Sequence, residues 1–194
     1  MDLQHLLAIA LFALASTGTP GPNNLMLMSS GANVGFKRTI PHMLGIMVGF
    51  SVMLTLIGVG LVGVFHTYPA SQTILKYLSL GYLAYLAFKI ATSKGSNTEQ
   101  SYKPMTFIQA AGFQWVNPKG WSMALTAVSL FNAEGGMLAL MVIVAVFFCA
   151  NIPSVALWTA AGTQLQRWLT TGIRIKVFNY GMAGLLLASA VPML

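Results

Sequence analysis

Apolar residues run along this chain in blocks too long for the strands or amphipathic helices of a soluble domain. Six blocks of membrane length stand at roughly 3–34, 40–64, 72–91, 105–131, 136–160 and 174–193. About 20 apolar residues suffice for a helix to cross a bilayer. The pattern predicts an all-α integral membrane protein with six transmembrane helices in a single domain over residues 1–194. The one extended polar stretch, "ATSKGSNTEQSYKP", gives a cytoplasmic linker at 92–104 between two halves of about 1–92 and 104–194. The N-terminal "MDLQHLLAIALFALAST" has signal-peptide length but no basic n-region, so it reads as an uncleaved first span.

Polar residues interrupt two of these blocks. The first contains "STGTPGPNN" at 16–24, and the fourth contains "FQWVNPKGW" at 113–121. Proline lacks an N–H and clashes with the carbonyl four residues back. Pro20 and Pro22 are therefore expected to free the carbonyls of Ser16 and Gly18, and Pro118 that of Gln114. Gly18 and Gly21 permit backbone angles that other residues resist. Polar groups freed at membrane depth need a cavity or a protein partner. Helices 1 and 4 are thus predicted to be broken at proline within the membrane.

Basic residues give the orientation, because cytoplasmic loops carry the excess of Lys and Arg. Lys37 and Arg38 follow span one, Lys89, Lys94 and Lys103 flank the loop after span three, and Arg167, Arg174 and Lys176 flank the loop after span five. The opposite ends carry only Lys76, with Asp2 and Glu134. Odd loops are predicted inside and both termini outside. A shift of 96 residues lays Pro22 on Pro118, so that each half holds a proline break, a short apolar helix and a polar turn. Three spans per half is an odd number, so the second half must run inverted. Proline- or glycine-interrupted spans at matching positions of inverted repeats point to a transporter's binding site.

The chemistry at the breaks suits a zwitterion. Helices restarting after the prolines aim the N–H groups of Asn23, Asn24 and Leu25 in one half, and of Lys119 and Gly120 in the other, at an anionic group. The freed carbonyls, with the side chains of Asn23, Asn24, Gln114 and Asn117, can accept from an ammonium. The candidate substrate-binding residues are Pro20, Gly21, Pro22, Asn23, Asn24, Gln114, Asn117, Pro118 and Lys119. Lys119 lies well inside span four, where a charge costs ~2.5–3.5 kcal/mol on insertion scales. No Asp or Glu falls within the six blocks to pair with it. Three readings fit Lys119: a side chain snorkelling to the outer interface, a partner for a substrate carboxylate, or a group whose proton substrate displaces.

Composition narrows the rest. Of 194 residues, 56% are hydrophobic and only 7% charged, against about a quarter charged in soluble domains. The net charge of +7 forms no basic stripe, so nucleic acid is not expected. The single cysteine, Cys149, excludes an intrachain disulfide and reads as a packed residue, as do the 12 dispersed methionines. His5, His42 and His66 form no metal-ligand spacing. No catalytic constellation or nucleotide loop is present, so neither an enzyme nor a cofactor is expected. Trp115, Trp121, Trp158, Tyr82 and Tyr85 line a cavity or serve packing and the membrane interfaces. The glycines of "GIMVG" at 45–49, followed by Gly58 and Gly60, allow close helix contact within the chain or across a homodimer.

"TPGPNN", "GANVGFKR…GIMVGF", "GYLAYLAFKIATS" and "FQWVNPKGW" together resemble the LysE/RhtB superfamily of bacterial amino-acid exporters, over nearly the whole chain. "TPGPNN" and "KIATS" are most similar to its cysteine and O-acetylserine branch, with the homoserine, homoserine-lactone and threonine exporters next. The resemblance implies efflux of small neutral amino acids across the bacterial inner membrane, in exchange for protons. It places motif matches at Pro20, Gly21, Pro22, Asn23, Asn117 and Pro118, with Lys119 where a basic residue often follows the asparagine–proline pair. With no intramembrane carboxylate, proton coupling would fall to Lys119, His42 or the substrate amine. The readings set against an exporter are a metal or other small-ion exporter of related fold, a membrane-embedded enzyme, and a non-transporting membrane scaffold.

Overall fold

The structure, a computed structural model, describes residues 2–61, 67–68, 70–93, 102–133 and 136–191. Most of the expected linker (94–101), and with it Lys94, as well as His66 and Glu134, lies outside the described residues. Among the described residues every regular element is a helix. In chain order these are α1 (Leu3–Gly18), α2 (Pro22–Val34), α3 (Phe36–Leu56, continued as a wider turn over Ile57–Leu61), α4 (Ala70–Ala91), α5 (Phe107–Phe113), α6 (Pro118–Phe131), α7 (Met137–Gln166) and α8 (Gly172–Ala188).

Local chemistry sets the boundaries. The Asp2 carboxylate accepts from the His5 N–H at 2.8 Å and caps α1. Thr106 and Gln109 close a reciprocal capping box at the start of α5, with bonds of 3.3 and 3.0 Å. Pro22 and Pro118 each occupy the first position of their helix, where the missing N–H is no loss. Between α2 and α3, Gly35 takes φ 79, a left-handed angle that favours glycine.

Three helical segments among the described residues are long and apolar enough to cross a membrane: Phe36–Leu61, Thr73–Ala91 and Met137–Gln166. The pair α1 and α2, bent by 55° at the break, passes the same test when the two are taken together, as a broken span or a re-entrant loop. The other two expected spans are helical but short. The fourth block divides into the 7 residues of α5, a tight turn at Gln114–Val116 and the 14 residues of α6. The sixth gives the 17 residues of α8, at the lower limit for crossing. Residues 3–34 form a bent pair of helices, with the "STGTPGPNN" stretch spanning the end of the 16-residue α1, the break and the start of the 13-residue α2.

α2 is the central helix. Ten of its 13 residues are buried, including Asn24, Ser29, Ser30 and Asn33. By contrast α1, α4, α7 and α8 expose Leu11, Phe88, Leu157 and Val177 on outward faces. The most polar helix is thus the one kept from lipid, as the cost of polar groups in hydrocarbon requires. α2 lies against α7, α3 against α5 and α7, and α4 against α8. Two apolar clusters fill the interior. One lies around Leu27, Ile46, Leu83 and Leu186, and the other around Ile9, Phe50, Ile143 and Phe147.

Small residues permit these close contacts. A Cβ on Gly31 would collide with the Thr159 carbonyl, and one on Gly162 with the Met28 carbonyl, so α2 and α7 touch backbone to backbone. Gly45 and Gly49 serve the same purpose against Phe107 and Ala111 of α5. Of the two readings of "GIMVG", the contact within the chain is therefore the one observed.

Gly31→Ala and Gly162→Ala are expected to destabilise the protein by roughly 1–3 kcal/mol each, because a packed contact is overfilled. Gly81→Ala, where nothing lies within 4 Å of the added carbon, is the control and should change stability by about 0.5 kcal/mol or less. Thermal unfolding in detergent, followed by circular dichroism, reads all three.

Candidate functional site

The two proline breaks meet. Thr17, Gly21, Asn23 and Asn24 from the first, and Asn117, Lys119 and Gly120 from the second, line one cavity of ≈ 30 Å³ together with Ile46, Phe50, Met123 and Asn151. A water needs about 10–15 Å³ on this measure. The cavity therefore has room for about two waters.

The carbonyls at the end of α1 are all in use. Ser16 O accepts from the Thr19 hydroxyl at 3.0 Å, and Gly18 O from the Trp158 indole N–H at 3.1 Å. Thr17 O accepts from Asn24 Nδ2 at 2.8 Å and from the Ser154 hydroxyl at 2.7 Å. Gln114 O accepts from the Asn117 N–H at 3.2 Å, closing the tight turn before α6. The carbonyls of Ser16, Gly18 and Gln114, expected to meet a substrate ammonium, are thus closed by the protein itself. The protein supplies a side-chain donor to Ser16 O and Gly18 O and a backbone N–H to Gln114 O, which no hydrocarbon could solvate.

Lys119 crosses from the second break to the first. Its Nζ donates to Thr19 O at 2.6 Å, to Thr19 Oγ1 at 2.8 Å and to Pro20 O at 3.3 Å. Thr19 and Pro20 are exposed and Lys119 half-buried, so this contact stands at the mouth of the cavity. Gly21 makes room for it, since a Cβ there would lie 2.6 Å from Lys119 Cδ. The expected need for unusual backbone angles at Gly18 and Gly21 is not what the structure shows. Gly18 is helical, and Gly21 has φ −179, an extended conformation open to any residue. Glycine at 21 is a matter of space.

Donors and acceptors of the cavity wall follow from the two helix starts. Neither Gly21 at the start of α2 nor Asn117 at the start of α6 makes a side-chain cap. The first N–H groups of both helices therefore remain for a ligand or water. Leu25 is not among them, because its N–H already bonds Gly21 O at 2.9 Å. Asn117 is 2% exposed and its Oδ1 has no partner, although Nδ2 reaches Gln114 Oε1 at 3.4 Å. A buried acceptor without a partner is uncommon and costly.

The nine sequence-derived candidates divide by position. Gly21, Asn23, Asn24, Asn117 and Lys119 line the cavity. Gln114 does not. It is fully buried, bonds Ala110 O at 2.9 Å and pairs its amide with that of Asn23 through bonds of 2.9 and 3.1 Å. Pro22 and Pro118 open the two helices behind the wall, and Pro20 contributes its carbonyl to Lys119. The aromatic candidates stay outside the cavity lining. Trp115 and Trp121 pack edge to face, Tyr82 packs against Tyr85 and Phe113, and Trp158 closes the Gly18 carbonyl.

Sequence reasoning missed Thr17 and Asn151 in the wall. Asn151 stands two residues before Pro153 in an otherwise apolar block, a polar residue at membrane depth that was legible but unused. It also missed two buried networks beside α2. Ser30 Oγ lies 3.2 Å from His42 Nδ1 and 2.9 Å from the Tyr102 hydroxyl. Asn33 Nδ2 donates to Asn179 Oδ1 at 3.2 Å, and Asn179 Nδ2 to Ser93 Oγ at 3.0 Å. His42 is thus part of a packed network away from the cavity.

The Asn23–Gln114 amide pair ties the two breaks together. Asn23→Ala and Gln114→Ala are expected to be non-additive, with a coupling of about 1 kcal/mol in a double-mutant thermal unfolding cycle.

Residues 14–194 match the family model described as LysE type translocator. The cysteine/O-acetylserine efflux protein of Salmonella typhi is 30% identical over 164 residues, 80% of this chain and 81% of that protein. The protein of the same name in Escherichia coli (strain K12) is 31% identical over 120 residues, 62% of each chain. No solved structure matches the chain. The chain belongs to the LysE type translocator family.

Proposed function

We propose that this LysE type translocator is a secondary exporter of small neutral amino acids or their derivatives, of the cysteine/O-acetylserine or homoserine/threonine type. The observation that carries this reading is the meeting of two uncapped, proline-started helices and Lys119 at one small polar cavity. The helix starts and the Lys119 ammonium suit a carboxylate. The Asn117 Oδ1, unpartnered in a buried wall, suits an ammonium. Asn23 and Asn24 complete the polar wall, held by Gln114 and by the end of α1. The names of the relatives favour cysteine and O-acetylserine as first cargoes to test.

Two halves of inverted topology, about 1–92 and 104–194, suit the element order. Pro22 and Pro118, 96 residues apart, each start a helix. Broken helix α1 packs on α7, and its counterpart α5 packs on α3, so each half leans on the long helix of the other. Rocking of one half against the other would widen the cavity from either side. The excess of Lys and Arg on odd loops favours both termini on the periplasmic face of a bacterial inner membrane. Protons are the proposed exchange ion.

The test is efflux from bacteria expressing the chain and loaded with dipeptides, with the medium followed by mass spectrometry. Cysteine, O-acetylserine, homoserine or threonine should accumulate outside. Lys119→Ala should lower the rate by about tenfold or more, since it removes a charged partner, and Pro22→Ala should lower it by restoring an N–H and loosening the fixed start of α2. Wild-type protein that reaches the membrane and moves none of these would overturn the reading. An imposed pH gradient should change the wild-type rate, and an unchanged rate would remove protons from the mechanism.

A further inference from the structure

Lys119 is the one charged side chain lining the cavity among the described residues. Its ammonium is already occupied by three oxygens of Thr19 and Pro20, which belong to the opposite break. We infer that Lys119 is a latch whose ammonium holds the carbonyl cradle in place of a substrate ammonium, so that the site opens only for a molecule carrying both a free ammonium and a free carboxylate. This rests on the exporter reading and assigns the substrate's two charged ends.

As it stands, the cavity has room for about two waters, less than an amino acid needs. Opening therefore requires that the bridge between α6 and the end of α1 be released. Release leaves Thr19 and Pro20 oxygens without a cation and Lys119 without an acceptor. A zwitterion repairs both at once. Its ammonium takes the vacated Thr19 and Pro20 oxygens with Asn117 Oδ1, and its carboxylate takes Lys119 and the free N–H groups of α2 and α6. An amine lacking the carboxylate would set a second cation beside Lys119, with no carboxylate side chain in the wall to offset it. An N-acylated acid would draw Lys119 away and leave the cradle empty, an uncompensated loss. A ligand shifts a conformational equilibrium only by binding one state better, and only the zwitterion does so here. Gly21 fits this role, because its missing Cβ is the space through which the Lys119 chain reaches the cradle.

The test uses the full chain, purified in detergent, with Cys149→Ser and Met123→Cys placing one thiol in the cavity wall. Labelling by a charged methanethiosulfonate reagent reports opening. Lys119→Met, added to that background, should speed labelling by about tenfold or more, the effect of losing a charged hydrogen-bond set. Gly21→Ala keeps the charge but displaces the Lys119 chain, and it should do the same. Lys119→Arg should restore slow labelling. With Lys119 intact, threonine and homoserine should accelerate labelling, whereas threonine amide and N-acetylthreonine should not. Folded variants that label no faster than the parent would overturn the latch, whatever the efflux assay shows. Acceleration by the amide or the N-acetyl compound equal to that by threonine would overturn the two-charge requirement. Fast variants beside a Lys119-intact parent whose labelling ignores both amino acids although its efflux is normal would overturn the exchange. Absence of any efflux instead counts against the exporter reading, and the labelling rates then judge the bridge alone.

Discussion

Everything at the centre of this protein follows from the obligation to satisfy backbone polar groups without bulk water. Two helices are interrupted where a continuous helix would have been simplest. The interruptions expose carbonyls at one end and N–H groups at the other. The protein covers the carbonyls with its own side chains: Asn24, Ser154, Trp158 and Lys119 all converge on residues 17–20. It leaves the N–H ends of α2 and α6 uncapped. That asymmetry, acceptors answered and donors left available, gives the cavity its electrostatic character without a single carboxylate in its wall.

Packing serves the same end. α2 carries the polar residues that meet the cavity and the inner networks, so it must be shielded from lipid on every side. Glycines at 31 and 162 let α7 come close enough to do this. Glycines at 45 and 49 bring α5 against α3 and so place the second break beside the first. The exposed surfaces of the outer helices remain apolar, which is why their sequences show almost no amphipathic periodicity.

Much of this was legible in the sequence, and the failures have physical causes. Pro22 and Pro118 announced the breaks because proline acts through its own ring and missing N–H, whatever surrounds it. Asn23, Asn24, Asn117 and Lys119 stood out because polar groups are rare in such blocks. The partners of the freed carbonyls could not be read, since Trp158 and Ser154 approach residues 17 and 18 from about 140 positions away. Gly21 was misread for a related reason. Glycine signals either an unusual angle or a missing side chain, and only the position of Lys119 decides between them. Ser30, His42 and Tyr102 went unremarked as a group because they come from three separate stretches of chain.

The burial of α2 also bears on how the protein is made. A helix bearing Asn23, Asn24, Ser29, Ser30 and Asn33 has little affinity for hydrocarbon on its own. Its shield is largely α7, which begins at Met137, more than a hundred residues later in synthesis. The first third of the chain is therefore finished by the last, and assembly of this protein in the bilayer cannot proceed strictly helix by helix in the order of translation.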